Sequence, residues 1–471
     1  MLNDESYEDL LGNDTLRLTQ LILANFRCFE WCELDLHSSL TTLVADNGHG
    51  KTAILDALGI ALGAFIDGIR SEPTNYRLAR EDIRRFRDTS GTMIQASSTT
   101  VYAKGVGLAR PITWKRELRG NRARARNTSK DAKPLEHIGA TLRHQLREFS
   151  EGTNPTPPTL PLLAFYGTGR LWTKERLTAA RKRRDTSALG RLMGYKDCLT
   201  SSSSFGAFVH WYKSMATMLR QGSTSMALGP DERPEKLLAA VREAIKTVLE
   251  PTGWQDLDWD FDQNELVAEH PQRGRLSLSM LSDGVQNMVA LVADMAHRCA
   301  QLNPHFGEEA ALKTPGIALI DEVDMHLHPR WQQRIIELLR EAFPLVQLVV
   351  STHSPHVLST VDKECVRVIR VCDGEATLET PTFQTRGVVS ADVLAEIMNV
   401  DPVPQVEEAR WASDYRSLIQ TGHYDGEAGK ELWKKLLKHF GEAHPIIQDL
   451  KTHQSLQEFK RRHNLPVLGG G

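Results

Sequence analysis

Apolar residues along this chain fall into short runs whose spacing changes from strand-like to helical and back. Leu16 to Phe26 and Cys32 to Leu36 read as strands, and LTTLV (Leu40 to Val44) reads as a strand buried on both faces. That run feeds the loop ADNGHG and then KTAILDALGIALGAF at helical spacing from Lys51, which gives the order strand, glycine loop, helix. From Met93 to Leu118 the pattern predicts antiparallel strands joined by glycine turns, and the proline cluster Thr153 to Pro161 marks a linker before LLAFYGTGR. Leu171 to Leu249 reads as mostly helical, with polar breaks at Ser201 to Ser204 and at GPDERP. Strand signals return between Asp258 and His270, and Val285, Met288, Val289, Val292 and Met295 recur on one helical face. Ile317 to Ile320 and Leu345 to Val350 flank a helix, the pattern of a parallel βαβ unit covered on both sides. Beyond Gln384 the chain becomes a polar, helical tail. No internal repeat is visible.

Bulk properties add little to this picture. At 471 residues the chain is longer than a single core sustains, so more than one domain is expected. A formal charge of -3 gives no global reason for a polyanion partner. Six scattered cysteines lack zinc-site spacing and fit reduced thiols in the cytoplasm. The N-terminal stretch is acidic and lacks an apolar signal core. The apolar stretch Thr52 to Ile69 is interrupted by Asp56 and Asp67 and is expected to be a buried helix, not a membrane span.

The candidate chemistry sits where the strands end. A loop that wraps backbone N–H groups around a triphosphate at a helix N-terminus needs glycine, and Gly48 and Gly50 supply it. Lys51 is placed to meet the outer phosphates and the Thr52 hydroxyl to ligate magnesium; Asn47, His49 and Ala53 complete the expected ATP-binding stretch. Ala45 stands where a P-loop has its first glycine. Asp321, at the tip of the second buried strand, is expected to hold Mg2+ through water, and Glu322 to orient or deprotonate the attacking water. His353 follows the next strand and is expected to contact the γ-phosphate. LSDGVQN places Ser282, Asp283 and Gly284 at a second helix N-terminus, an anion site best used on the nucleotide of a second copy of the chain.

The set LILANFRCFE, ADNGHGKT, LSDGVQN, IDEVDMHLHP and STHSP resembles the ABC-type heads of the SMC, RecF and overcoming-lysogenization-defect (OLD) ATPases, with Asp283 replacing a signature glycine. The form DE-x-x-x-H-L-H-P is typical of the bacterial antiphage branch. YGTGRLW, the expected helix LGRLMGYKDCL and the tail ARWASDYRSLIQTGHYDG are similar to the Septu ATPase subunit family, PtuA, which also occurs beside some retrons. The resemblance implies an α/β fold: a P-loop head of mixed sheet, flanking helices and an antiparallel β subdomain, with a helical insertion and a helical tail. The implied divisions are 1–170, the N-terminal half of the head; 171–255, the insertion; 256–383, its C-terminal half with signature, Walker B and H-loop; and 384–471, the tail. It further implies ATP and Mg2+ as cofactors and head-to-tail pairing of the chain with itself. An HNH nuclease subunit is the implied partner, with DNA met through the complex and no membrane involved. Asp283 puts a carboxylate where phosphate is read, so slow turnover is expected.

Other features have plainer readings. His326 and His328 form an H-x-H pair, but after a DE pair they are expected to shape a loop. The basic stretches Arg119 to Lys133 and Lys174 to Arg184 suit either a polyanion or solvent. Tail residues such as Trp411, Tyr415 and Trp433 suit a helical cap or a docking surface. Alternatives to a defence ATPase are a RecF-like or SMC-like repair ATPase acting on DNA and a non-hydrolysing scaffold.

Overall fold

The computed structural model describes residues 16–70, 76–120, 126–128, 130–169, 188–200, 205–222, 233–372 and 375–463. The basic stretch Lys174 to Arg184, the last three residues of YGTGRLW (Arg170 to Trp172), the serine run and the terminal LGGG lie outside them, as do Arg122 and Arg124. The chain forms two compact units, Met1–Val393 and Leu394–Gly471.

The first unit is built on a six-stranded sheet whose spatial order is Glu375–Glu379, Val366–Cys372, Leu40–Val44, Val346–Ser351, Gly316–Ile320, Leu162–Tyr166. All neighbours are parallel except the outermost pair, Val366–Cys372 with Glu375–Glu379. Every residue of the four strands Leu40–Val44, Leu162–Tyr166, Gly316–Ile320 and Val346–Ser351 is buried, as expected for parallel strands covered on both faces. The parallel pairing expected for the last two, Gly316 against Val346, is observed. Leu162–Tyr166, whose strand character the sequence pattern did not reveal, lies beside Gly316–Ile320.

A second, antiparallel sheet runs Phe29–Asp35, Arg17–Phe26, Ser98–Gly107, Arg110–Arg119, Arg126–Thr128. The expected strand from Met93 is interrupted: Met93–Gln95 pairs instead with Arg85–Arg87, and the main sheet resumes at Ser98. Gln347 stitches this sheet to the central one, accepting from Leu18 N at 2.9 Å and donating to the carbonyls of Leu18 (2.8 Å) and His37 (2.9 Å).

The helix Lys51–Arg70 is apolar nearly all round because it is enclosed between the sheets and the helix Lys133–Ser150. It is long and apolar enough to cross a membrane, yet most of it is buried inside the head. The two helices cross at glycines: a Cβ on Gly68 would lie 2.0 Å from the Glu136 carbonyl oxygen, and one on Gly139 2.4 Å from that of Phe65. Trp114 fastens the antiparallel sheet to the same helix by donating Nε1–H to the Ala61 carbonyl at 3.0 Å.

In the expected insertion, Phe205–Arg220 and Pro234–Leu249 are α-helices, whereas Ala188–Tyr195 is a 3-10 helix. The three-stranded sheet Gln255–Asp260, Glu265–His270, Gly274–Ser277 follows, and then the helix Asp283–Leu302. The second unit holds the helices Glu407–Thr421, Glu427–Phe440 and Pro445–Arg462 around a core of Tyr415, Ile419, Leu436, Ile447 and Leu450.

Candidate nucleotide site

Three parallel strands deliver the site. Leu40–Val44, Gly316–Ile320 and Val346–Ser351 end side by side, so the loops after them, containing Lys51 and Thr52, Asp321 and Glu322, and His353, lie together. Gly48 has φ 80° and Gly50 φ 90°, conformations that side-chain-bearing residues adopt only with strain. Gly50 has a second constraint, since a Cβ there would stand 2.4 Å from the Phe29 ring. Asn47 and Gly48 are exposed at the loop tip, His49 is half-buried with its N–H donating to the Asp46 carbonyl at 3.3 Å, and Ala53 is buried in the first helical turn.

The Lys51 ammonium sits inside the curl of the loop, donating to the carbonyls of Ala45 (2.7 Å) and Asp46 (3.1 Å). Burial lowers its pKa, against the pull of Asp321, Glu322, Asp46 and Asp324. Thr52 donates its hydroxyl to Asp321 Oδ2 at 2.7 Å, joining residues 269 apart in sequence. A hydroxyl and a nearly fully buried carboxylate converging at a strand end form a donor pair suited to a hard, oxygen-seeking cation. Asp321 is fixed from behind: its N–H donates to the Tyr166 carbonyl at 2.8 Å, and Ser351 Oγ donates to Oδ1.

Glu322 adopts φ 47°, a left-handed conformation that costs a non-glycine residue about 1–3 kcal/mol. Ser351 holds it there, accepting the Glu322 N–H at 2.8 Å, while the Ser351 carbonyl accepts from Val323 N at 3.0 Å. His353 is half-buried, and its pKa is lowered by burial and then by Lys51. The imidazole is therefore neutral at neutral pH and can still offer an N–H to a phosphate oxygen.

Ser282, Asp283 and Gly284 begin a separate helix. Ser282 occupies the N-cap position and is exposed, and its hydroxyl makes no capping bond. Asp283, also exposed, lies in the first turn, where a carboxylate stabilises the helix dipole. Gly284 packs inside its own chain: a Cβ would come 2.7 Å from the His326 carbonyl oxygen. The H-x-H residues shape that loop. His326 has φ 61°, and His328 accepts from Arg330 N at 3.3 Å to cap the helix Pro329–Gln332. Among the described residues no group of three or more His, Cys, Asp or Glu is placed to hold a metal ion. Ser351 and Tyr166 brace the site without having been assigned a role from the sequence, although Ser351 opens the STHSP segment that contains His353 and Tyr166 opens YGTGRLW.

Residues 20–205 match a family described as "AAA domain", and residues 251–359 one described as "AAA domain, putative AbiEii toxin, Type IV TA system". The chain is similar to the retron Vc95 probable ATPase of Vibrio cholerae, 26% identical over 92% of this chain and 89% of that one. It is also similar to the retron Ec83 probable ATPase of Escherichia coli, 24% identical over 94% and 87%. A Septu protein PtuA of Bacillus mycoides is 42% identical, over 17% of this chain and 10% of that one. An SMC head domain from Thermotoga maritima aligns with a TM-score of 0.41 at 16% identity, over 77% of this chain and 98% of that one. The two AAA-domain matches take in the strands and loops that assemble the site, and with the near full-length likeness to retron ATPases they make the chain similar to the ABC-type AAA-domain ATPases.

Proposed function

We propose that this chain is the ATP-hydrolysing subunit of a bacterial antiphage complex, working as paired heads and controlling an HNH-type DNA nuclease carried on a separate subunit. The observation that carries the ATPase reading is the convergence of Thr52 and Asp321 at 2.7 Å, with Glu322 next in the chain. Thr52 and, through water, Asp321 would hold magnesium, which when bound supplies charge to the phosphates. Glu322 takes a proton from the water whose oxygen attacks the γ-phosphorus, as the bond to the β-phosphate oxygen breaks and ADP leaves. Lys51 and the neutral His353 offer N–H donors to the outer phosphates.

Pairing is supported by the exposed Ser282 hydroxyl at a helix N-terminus, free of capping duty and suited to a neighbour's nucleotide. The extent of likeness favours an accessory ATPase of the retron kind: the retron relatives match over nearly the whole chain, the Septu relatives over less than a fifth. The described elements of Leu394–Gly471 are helical, which supports cutting by another subunit.

Glu322→Gln is expected to cut phosphate release on the order of 100-fold while a fluorescent ATP analogue still binds. Were the unsubstituted protein to release no phosphate with DNA or with partner subunits, the chain would act as a nucleotide-dependent scaffold. Ser282→Arg is expected to stop the ATP-dependent doubling of mass in light scattering. Unchanged mass and turnover in that variant would remove the paired arrangement.

A further inference from the structure

Tyr166 closes the strand beside Gly316–Ile320, and its two polar groups reach different parts of the molecule. Its carbonyl accepts the Asp321 N–H at 2.8 Å. Its phenol, on a side chain 1% exposed, donates to Asp294 Oδ2 at 2.8 Å. Asp294 lies about three turns into the helix that begins at Ser282. The same carboxylate oxygen accepts Arg298 Nε at 2.7 Å, and Arg298 Nη1 donates to the carbonyls of Gly194 (2.8 Å) and Lys196 (3.0 Å).

These groups hold one charge state. Burial raises the Asp294 pKa, but Arg298 outweighs it and the carboxyl lies below its ordinary value. Burial and Asp294 push the Tyr166 phenol well above its own, so it stays a donor. A buried hydrogen-bonded ion pair is costly to separate, because each group left behind is a desolvated, unpaired one. The tip of the Tyr166 strand and the middle of the signature helix are therefore joined as a strut, with Asp321 bonded at one end.

We propose that Tyr166 is a positioning residue that couples the phosphate loop to the signature helix within one chain. Drawing Asp321 toward a nucleotide shifts the strand end and, through the phenol, the helix whose N-terminus would face the neighbouring head. This consequence between heads rests on the paired-head reading above; the strut itself is internal to one chain.

Hydrogen exchange read by mass spectrometry tests it in the full chain carrying Glu322→Gln, to retain ATP, and Ser282→Arg, to keep heads single. ATP with magnesium is expected to slow exchange both in the phosphate loop, 45–55, and in the helix 283–302, there about threefold or more. With Tyr166→Phe added, the loop is expected to stay protected while the helix returns to its nucleotide-free rate. Phenylalanine keeps the ring volume and leaves Asp294 paired with Arg298, so the loop signal is an internal control of folding. Equal helix protection with tyrosine and phenylalanine would overturn the coupling, as would no response of the helix in the parent. Loss of loop protection as well would mark Tyr166 as structural and overturn it too. Light scattering on the Ser282 protein separates the two ideas: no rise in mass with ATP rejects pairing, while the exchange result still judges the strut.

Discussion

His297 sits one residue from the strut, with neither ring nitrogen hydrogen-bonded and its ring 4.4 Å from that of Trp211. Burial, opposed by Asp294 and assisted by Arg298, lowers its pKa to about 4. The unfolded chain then binds a proton that the folded chain refuses, so stability is full above the ordinary value of 6.5 and declines as pH falls toward 4. The slope for one such group reaches about 1.4 kcal/mol per pH unit. Urea titrations at neutral pH and near the lower end of that window should show His297→Phe losing less stability on acidification than the parent protein; parallel losses would place the acid sensitivity elsewhere. Such residues show why the sequence reveals some of the site and not the rest. Lys51, Thr52, Asp321 and Glu322 are legible because each sits in a local motif at the end of an apolar run. Tyr166 meets Asp294 across 128 positions and Ser351 meets Asp321 across 30, and no local spacing encodes such pairings.

Among the elements, the buried parallel strands were readable where a short, mostly apolar run led directly into a loop with chemistry in it, as LTTLV and Ile317 to Ile320 do. Leu162–Tyr166 escaped because a short apolar run after a proline cluster has no period of its own. Lys133–Ser150 escaped because its apolar stripe, Leu135, Ile138, Leu142 and Leu146, follows a basic segment that drew the polar reading. Its crossing with Lys51–Arg70 depends on Gly68 and Gly139, whose purpose is visible only once both helices are placed. Adding a methyl group at Gly68 forces the helix backbones apart at a cost of about 1–3 kcal/mol, a melting-point loss of several degrees. Gly169→Ala, with nothing within 4 Å of the added carbon, serves as the comparison. Matching melting points for the two variants would mean that the crossing yields freely.

For the molecule as a whole, the sheet order has a consequence for synthesis. The strand Leu40–Val44 is flanked by Val346–Ser351 and Val366–Cys372, so its neighbours in space are made some 300 residues after it. At roughly 5–20 residues per second a ribosome needs about 15–60 s to supply them. Throughout that interval the apolar helix Lys51–Arg70 exists without the central sheet that later encloses it. The nascent N-terminal third thus carries apolar surface of the kind that makes partly folded chains prone to aggregate, and a chain truncated just before residue 351 has no Ser351 to brace Asp321 and Glu322.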